Sequence, residues 1–330
     1  MSERLPLQPA PVDSATIRPA SSTRLPIRNS GGTVSGDVAP SVGISLDTMH
    51  SRIHALPPLS PAVIRALQLA DRETISAREM AGLIGEDIGF GARVVNAANA
   101  PCYKLPRPVA SVSDAILLLG TDAVREALIV AAVRDIFYRP LAGYGLAAKD
   151  LWAHSVACAM ASEIAADISG YGNRTEAFLG GLLHDVGKII LDDEMQSAAA
   201  RVREHMGRER CTFVDAEREI LGYDHCDIGA RVARTWAVPQ HIVQAIALHR
   251  KPVVIGQTVP LAGLVHLGEV LCSMAGVGTG YEGLDMTLDT RVLRDFRFTE
   301  EMGDIAMSRL VDKLSASVTL LTPTAETHTL

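Results

Sequence analysis

From Leu56 onward the chain is a succession of segments whose apolar residues recur at helical spacing. The one stretch that reads as strand, "KPVVIG", is too short to build a sheet. That periodicity restricts the chain to an all-α fold. Composition agrees: 48% of the residues are hydrophobic but only 4% are aromatic, and alanine and leucine dominate. Sheets lean on aromatic and β-branched residues, helices on alanine and leucine. A length of 330 residues suits one large domain or two small ones. No repeat at a solenoid period is present.

The periodic segments can be placed one by one. "LPPLSPAVIRALQLA" opens the folded part at 56–70, with prolines ahead of Val63, Ile64, Leu67 and Leu69. Ser76 with Glu79 three residues on is a capping box that starts the next helix, and another runs from about Asp87 to Asn99. Two short helices with a tight join could read DNA, but the second carries a single cation, Arg93. "SVSDAILLLGTDAVREALIVAAVRDIF" supplies two helices, the first ended by Gly120 and the second capped by Thr121 or Asp122. A loop at "YRPLAGYGL" separates this half from the next. Beyond it, one helix covers about 147–168 and carries His154. Asn173 with Glu176 caps the helix bearing His184 and Asp185. Further helices are expected near 189–206, 212–221, 225–236, 239–249, 260–275 and 299–317.

Residues 1–48 are rich in Pro, Ser, Thr and Gly and show no hydrophobic period, so they are expected to form a disordered tail. The folded domain is then 49–320, in two helical halves, 49–140 and 141–320, and 321–330 frays.

Charge and cysteine content narrow the function classes. A net charge of −7 lacks the broad electrostatic footprint of non-specific nucleic-acid binding. The five cysteines, Cys102, Cys158, Cys211, Cys226 and Cys272, are odd in number and include no CxxC. They are expected to be free, mostly buried thiols in a cytoplasmic protein. The N-terminal residues lack the apolar core of a signal peptide, and "EALIVAAVRDIF" is too short and too charged to cross a bilayer, so no membrane partner is expected.

Five groups with metal-ligand chemistry fall in the second half: His154, His184, Asp185, His225 and His249, spaced by 30, 1, 40 and 24 residues. Each lies on or beside an expected helix, so only helix packing can bring them together. Imidazole nitrogen and carboxylate oxygen suit Fe, Mn or Zn. Adjacent His and Asp on a helix point about 100° apart and can still touch one metal or two bridged metals. Glu269, 20 residues after His249, could complete an acidic face, and Lys188 follows His184 by four residues. His50, His54, His205, His241, His266 and His328 belong to no such series and are taken as structural or surface residues.

The pattern "WAHS…GGLLHDVGKIIL…AEREILGYDHCDIGARVARTWAVPQHIVQAIALH" resembles the HD superfamily. With "LPPLSPAVIRALQLAD" and "EDIGFGARVVNAANAPCYKLPRPVASVSDAILLLG" ahead of it, the chain is similar, over roughly 52–275, to the HDOD domain, the HD-related output domain of bacterial signalling proteins. The resemblance implies a two-lobed helical fold and a role in signal transduction, with protein partners and often without catalysis. Catalytic HD relatives hydrolyse phosphate esters, nucleotides included, at a mono- or binuclear metal centre with ligand order His, His-Asp, His, His, Asp. Carried across, these fall on His154, His184–Asp185, His225, His249 and Glu269. In an active protein Asp185 would bridge or orient the water and Lys188 would stabilise phosphate charge. Two departures stand out. The last ligand is Glu where the pattern has Asp. Where the cyclic-di-GMP phosphodiesterases carry "HHExxDGxGYP", this chain has "LHRKPVVIG", with Arg250 in place of the second His. The resemblance therefore implies first a non-catalytic signalling module able to bind metal or a nucleotide, and second a metal-dependent phosphohydrolase.

Overall fold

The computed structural model describes residues 45–68, 76–85, 88–278, 280–282 and 286–317. All of them fall in one compact unit, Ser41–Leu330. Most of the expected N-terminal tail, the frayed C-terminus and His328 lie outside the described residues.

The first described helix is one that the periodicity did not mark. α1 (Leu46–Ala55) starts on Ser45, whose hydroxyl accepts from the Thr48 amide, inside the stretch read as tail. It buries Met49 and Ile53, and Arg52 ties it to α8 (Val186–Glu209) through the Ile190 carbonyl at 3.2 Å and Glu194 at 2.6 Å. α2 (Pro61–Gln68), α3 (Ala77–Gly85) and α4 (Ile88–Ala98) then pack on the long α5 (Val112–Phe137). The Ser76 hydroxyl accepts from the Glu79 amide at the start of α3, as the capping box requires. α4 turns Val94, Ala97 and Ala98 inward, so this helix spends its apolar face on the core. Gly120 breaks α5: its φ of 83° is a conformation that glycine adopts without a Cβ penalty, and it separates the two helices expected there.

The second half is built around α6 (Asp150–Ser169), flanked by α7 (Arg174–Leu183) and α12 (Pro260–Met274). α6 buries Ala157, Ala159, Ala161, Ala165 and Ala166, and these small side chains let both neighbours approach closely. α9 (Phe213–Leu221), α10 (His225–Thr235) and α11 (Gln240–Leu248) close the other side of α7 and α8. A two-residue antiparallel hairpin pairs β1 (Val253–Val254) with β2 (Gln257–Thr258), the short strand-like stretch seen in the sequence. α13 (Thr290–Phe296) was not marked by periodicity; α14 (Glu300–Ala316) is the last helix among the described residues and packs on α6. The described residues are thus all-α apart from this hairpin.

The four cysteines whose side chains are described are free thiols. Cys158, Cys226 and Cys272 are buried and Cys211 is partly buried; the Cys102 side chain lies outside what is described. No described helix is long and apolar enough to cross a membrane.

Candidate metal centre

The His184–Asp185 doublet does not lie within a helix, as the sequence reading had it. His184 caps the C-terminus of α7, and Asp185, with φ −98° and ψ 7°, precedes α8. The chain bends here because α10 crosses very close: a Cβ at Gly187 would overlap the His225 carbonyl, so only glycine fits. Asp185 makes no side-chain cap for α8. Its carboxylate instead turns inward to the histidines.

Helix packing brings the series together. His154 projects from α6, His225 opens α10 behind the cap of Asp224, His249 ends α11, and Glu269 comes from α12. His154 Nε2 is 3.2 Å from His184 Nε2 and 3.6 Å from Asp185 Oδ2. His184 Nε2 is 3.2 Å from Asp185 Oδ2, and His225 Nε2 is 3.6 Å from Asp185 Oδ1. Three overlapping triads, His154–His184–Glu269, His184–Asp185–His249 and His225–Cys226–His249, each hold their ligand atoms within 4.8 Å of one another. In the third, Cys226 Sγ lies 3.8 Å from His249 Nε2.

Each imidazole is oriented by its other nitrogen. Nδ1 of His154 donates to the Val277 carbonyl at 3.1 Å, that of His184 to Gly181 at 2.7 Å, and that of His249 to Ile246 at 2.8 Å. His225 Nδ1 donates to the buried Glu217 carboxylate at 2.5 Å, and Tyr144 Oη donates to the same carboxylate at 2.6 Å. Carbonyl and carboxylate oxygens only accept, so each Nδ1 carries the proton and each Nε2 faces the cluster, the support that metal-ligating histidines ordinarily receive. Asp185 Oδ1, His225 Nε2 and Glu269 Oε2 are buried without a hydrogen-bond partner. Orphaned polar atoms of this kind are costly unless something binds them. This donor set of imidazole nitrogens and carboxylate oxygens fits a divalent transition metal.

Electrostatics agree with a site built for positive charge. Burial opposes ionisation of Asp185, but the neighbouring His184 and Lys188 outweigh it and hold the carboxyl well below its usual range. Burial also opposes a charge on His184, and Asp185 nevertheless raises it well above the ordinary imidazole value. Burial, with His184 beside it, lowers His154 to about 4, and burial lowers His249 as well.

Three ion pairs occupy the two remaining cations, Lys188 and Arg250. Lys188 Nζ lies 2.7 Å from Asp185 Oδ2 and also pairs with Glu282, which sits in the turn Gly280–Glu282. Arg250 Nη1 is 2.6 Å from Glu269 Oε1 and 2.9 Å from Met286 Sδ. The pair with Arg250, after the opposing effect of burial, holds Glu269 far below the usual carboxylate range. A small cleft lined by His154, Arg250, Glu269 and Glu282 leads toward the cluster, where His184, Asp185, His225 and His249 are 0% exposed.

The structure therefore places His154, His184, Asp185, His225, His249, Glu269 and Lys188 in one cluster. His266 is structural, its Nδ1 donating to the His249 carbonyl at 2.9 Å and its Nε2 accepting from the Asp289 amide at 3.1 Å. Glu217, Tyr144 and Glu282 were not singled out in the sequence. Glu217 stands eight residues before His225 within the quoted motif, where a buried acid on the apolar side of a short helix is its one local signal. Glu282 carries no local signal.

An all-helical fold with a buried His/His-Asp/His/His cluster defines a protein of the HD type. A model of the HDOD domain matches residues 56–252, and the chain belongs to the HDOD family. Among solved structures it is similar to an HDOD domain protein of unknown function from Geobacter sulfurreducens, with a TM-score of 0.66 and 25% identity over 84% of this chain and 99% of that one. It shares its fold with a candidate phosphohydrolase from Shewanella amazonensis (TM-score 0.62, 21% identity, 83% of this chain and 98% of that one). The same holds for a candidate signal transduction protein from Marinobacter aquaeolei (TM-score 0.64, 21% identity, 83% of this chain and 64% of that one). An uncharacterized protein of Treponema pallidum is 18% identical over 244 residues, 72% of this chain; the aligned region is 46% of that relative's length.

Proposed function

We propose that this protein is a cytoplasmic bacterial signal-transduction module that holds a divalent metal ion (Fe, Mn or Zn) in the histidine cluster and acts by binding a protein partner, not by turnover. One observation carries the reading. Four oriented imidazoles and Asp185 converge in a buried site, while Lys188 and Arg250, the two cations beside it, are already engaged by Glu282 and Glu269. The ligand set would be His154, His184, Asp185, His225, His249 and Glu269. A metal there ties together α6, α7, α10, α11 and α12 and so stabilises one arrangement of the second half. Relatives described as signal transduction and HDOD proteins support the same reading.

A metal-dependent phosphohydrolase acting on a nucleotide is the second reading, favoured by the orphaned Asp185 Oδ1 and His225 Nε2 and by the name of the Shewanella amazonensis relative. A bound metal would supply an acidified water and polarise a phosphoryl oxygen. Asp185 would then orient that water and Lys188, once released by Glu282, would balance charge on the phosphate. Turnover assays of the metal-loaded full chain separate the two readings, with nitrophenyl phosphate, its bis-ester and nucleotides as substrates. The signalling reading expects no turnover above the metal-free protein. Rates near 1 s⁻¹, at the low end of typical enzyme turnover, would replace it with the hydrolase.

A further inference from the structure

A second cavity, which shares no lining residue with the histidine cluster, lies where the two halves of the fold meet. It is lined by α5 from the first half and by α6, α7 and α14 from the second, and has a volume of about 620 Å³. That is within the roughly 300–1,000 Å³ of small-molecule sites. Val130, Val156, Met160 and Phe178 give it an apolar wall.

Its charged lining is almost fully paired. Asp122 accepts from Arg125 at 3.0 Å, Lys313 pairs with Glu163, and Arg174 lies 3.3 Å from Asp167. Glu126 is the exception. It lines the cavity and is only 8% exposed; Lys313 and Arg174 act on it through their charge, but the hydrogen bonds and ion pairs they make here are to Glu163 and Asp167. Burial, with the Glu163 charge next, pushes its carboxyl up to about 8. A buried carboxyl left without a partner in an otherwise paired lining marks where one positive, hydrogen-bonding group is missing.

We infer that this cavity is a binding site for a small organic cation, a primary ammonium or amidinium on an apolar body, with Glu126 as its counter-ion. A bare metal ion is the poorer fit. Among the described residues, every group of three ligand atoms close enough to share a metal lies at the histidine cluster. An anion is also disfavoured, because Lys313 and Arg174 are engaged and the unpaired group is acidic. The position suits an input to the module. α7 contributes Thr175 and Phe178 to the cavity and ends at His184, so an occupant touches the same helix that presents the doublet. The inference stands whether or not the histidine cluster holds metal.

Calorimetry on the full chain at pH 7 tests it, with benzylamine and benzamidine as cationic probes and benzyl alcohol as the neutral isostere. The expected result is saturable 1:1 binding of at least one cation, at least tenfold weaker binding of the alcohol, and at least a tenfold loss of cation affinity in Glu126→Gln. Should that variant fail to fold, the wild type still decides. In the wild type alone, the cations must outbind the neutral alcohol at least tenfold, and raising the salt concentration must weaken the cations and not the alcohol. Equal affinity for amine and alcohol, undiminished binding in a folded Glu126→Gln, or no saturable binding of either cation would each overturn the inference.

Discussion

Glu282 pairs with Lys188 at the mouth of the histidine cluster, although the two residues come from distant parts of the chain. While that pair holds, a carboxylate and not a phosphate balances the Lys188 charge. Glu282→Ala should therefore expose an anion site that the wild type masks. Inorganic phosphate titrated into the metal-loaded variant should bind at least tenfold more tightly than to the wild type, by calorimetry. Equal affinities would show that the ion pair does not guard the site.

Glu217 acts through His225. It fixes the ring by accepting from Nδ1, and it is itself held by Tyr144. Loss of such an outer partner typically costs 10–100-fold in metal affinity. Glu217→Gln should show a fall of about that size in chelator competition, with a smaller fall in Tyr144→Phe, which removes one support of the carboxylate and not the carboxylate itself.

Metal binding should depend on pH with a definite sign. His184 holds a proton in the metal-free protein, because Asp185 overcomes the cost of burial. A metal must displace that proton, so affinity should weaken as pH falls, by about tenfold per unit for each proton released. Chelator competition between about pH 8 and pH 6 measures the slope, and a flat profile would contradict the assignment.

Glu126 makes the opposite kind of prediction, about stability. Its carboxyl is raised from 4.5 in the free side chain to about 8 in the fold. Between those values the folded state binds more protons than the unfolded chain, so this group's contribution is full below about pH 4.5 and is lost as pH rises through about 8. At about 1.4 kcal/mol per pKa unit the loss amounts to several kcal/mol at most. Glu126→Gln should flatten that decline, and its Tm relative to the wild type should rise between pH 5 and pH 8.

The helices of the second half were legible because apolar period and capping residues agree. Asn173 accepts from the Glu176 amide at 3.2 Å, and α10, α12 and α14 fall within a residue or two of where spacing put them. The metal-ligand series was legible as an ordered set of residue types. Its closure was not, because Glu282 meets Lys188 only through tertiary packing. α1 escaped notice for a different reason. Among its described side chains Met49 and Ile53 are the large apolar ones buried, with polar neighbours between them, and a Pro-, Ser-, Thr- and Gly-rich sequence precedes it. The bend at His184–Asp185 also needed the structure, since Gly187 reads as an ordinary helix glycine until α10 is seen against it.

Elemental analysis of the purified full chain, beside His184→Ala and Asp185→Ala, bears most directly on the central claim. His184 and Asp185 share one of the three triads with His249, and His184 belongs to two of them. The account predicts at least about one Fe, Mn or Zn per wild-type chain after reconstitution and dialysis, and loss of most of it in both variants while helical content is kept. A wild type that holds no metal after exposure to all three ions, or variants that hold as much as the wild type, would contradict it.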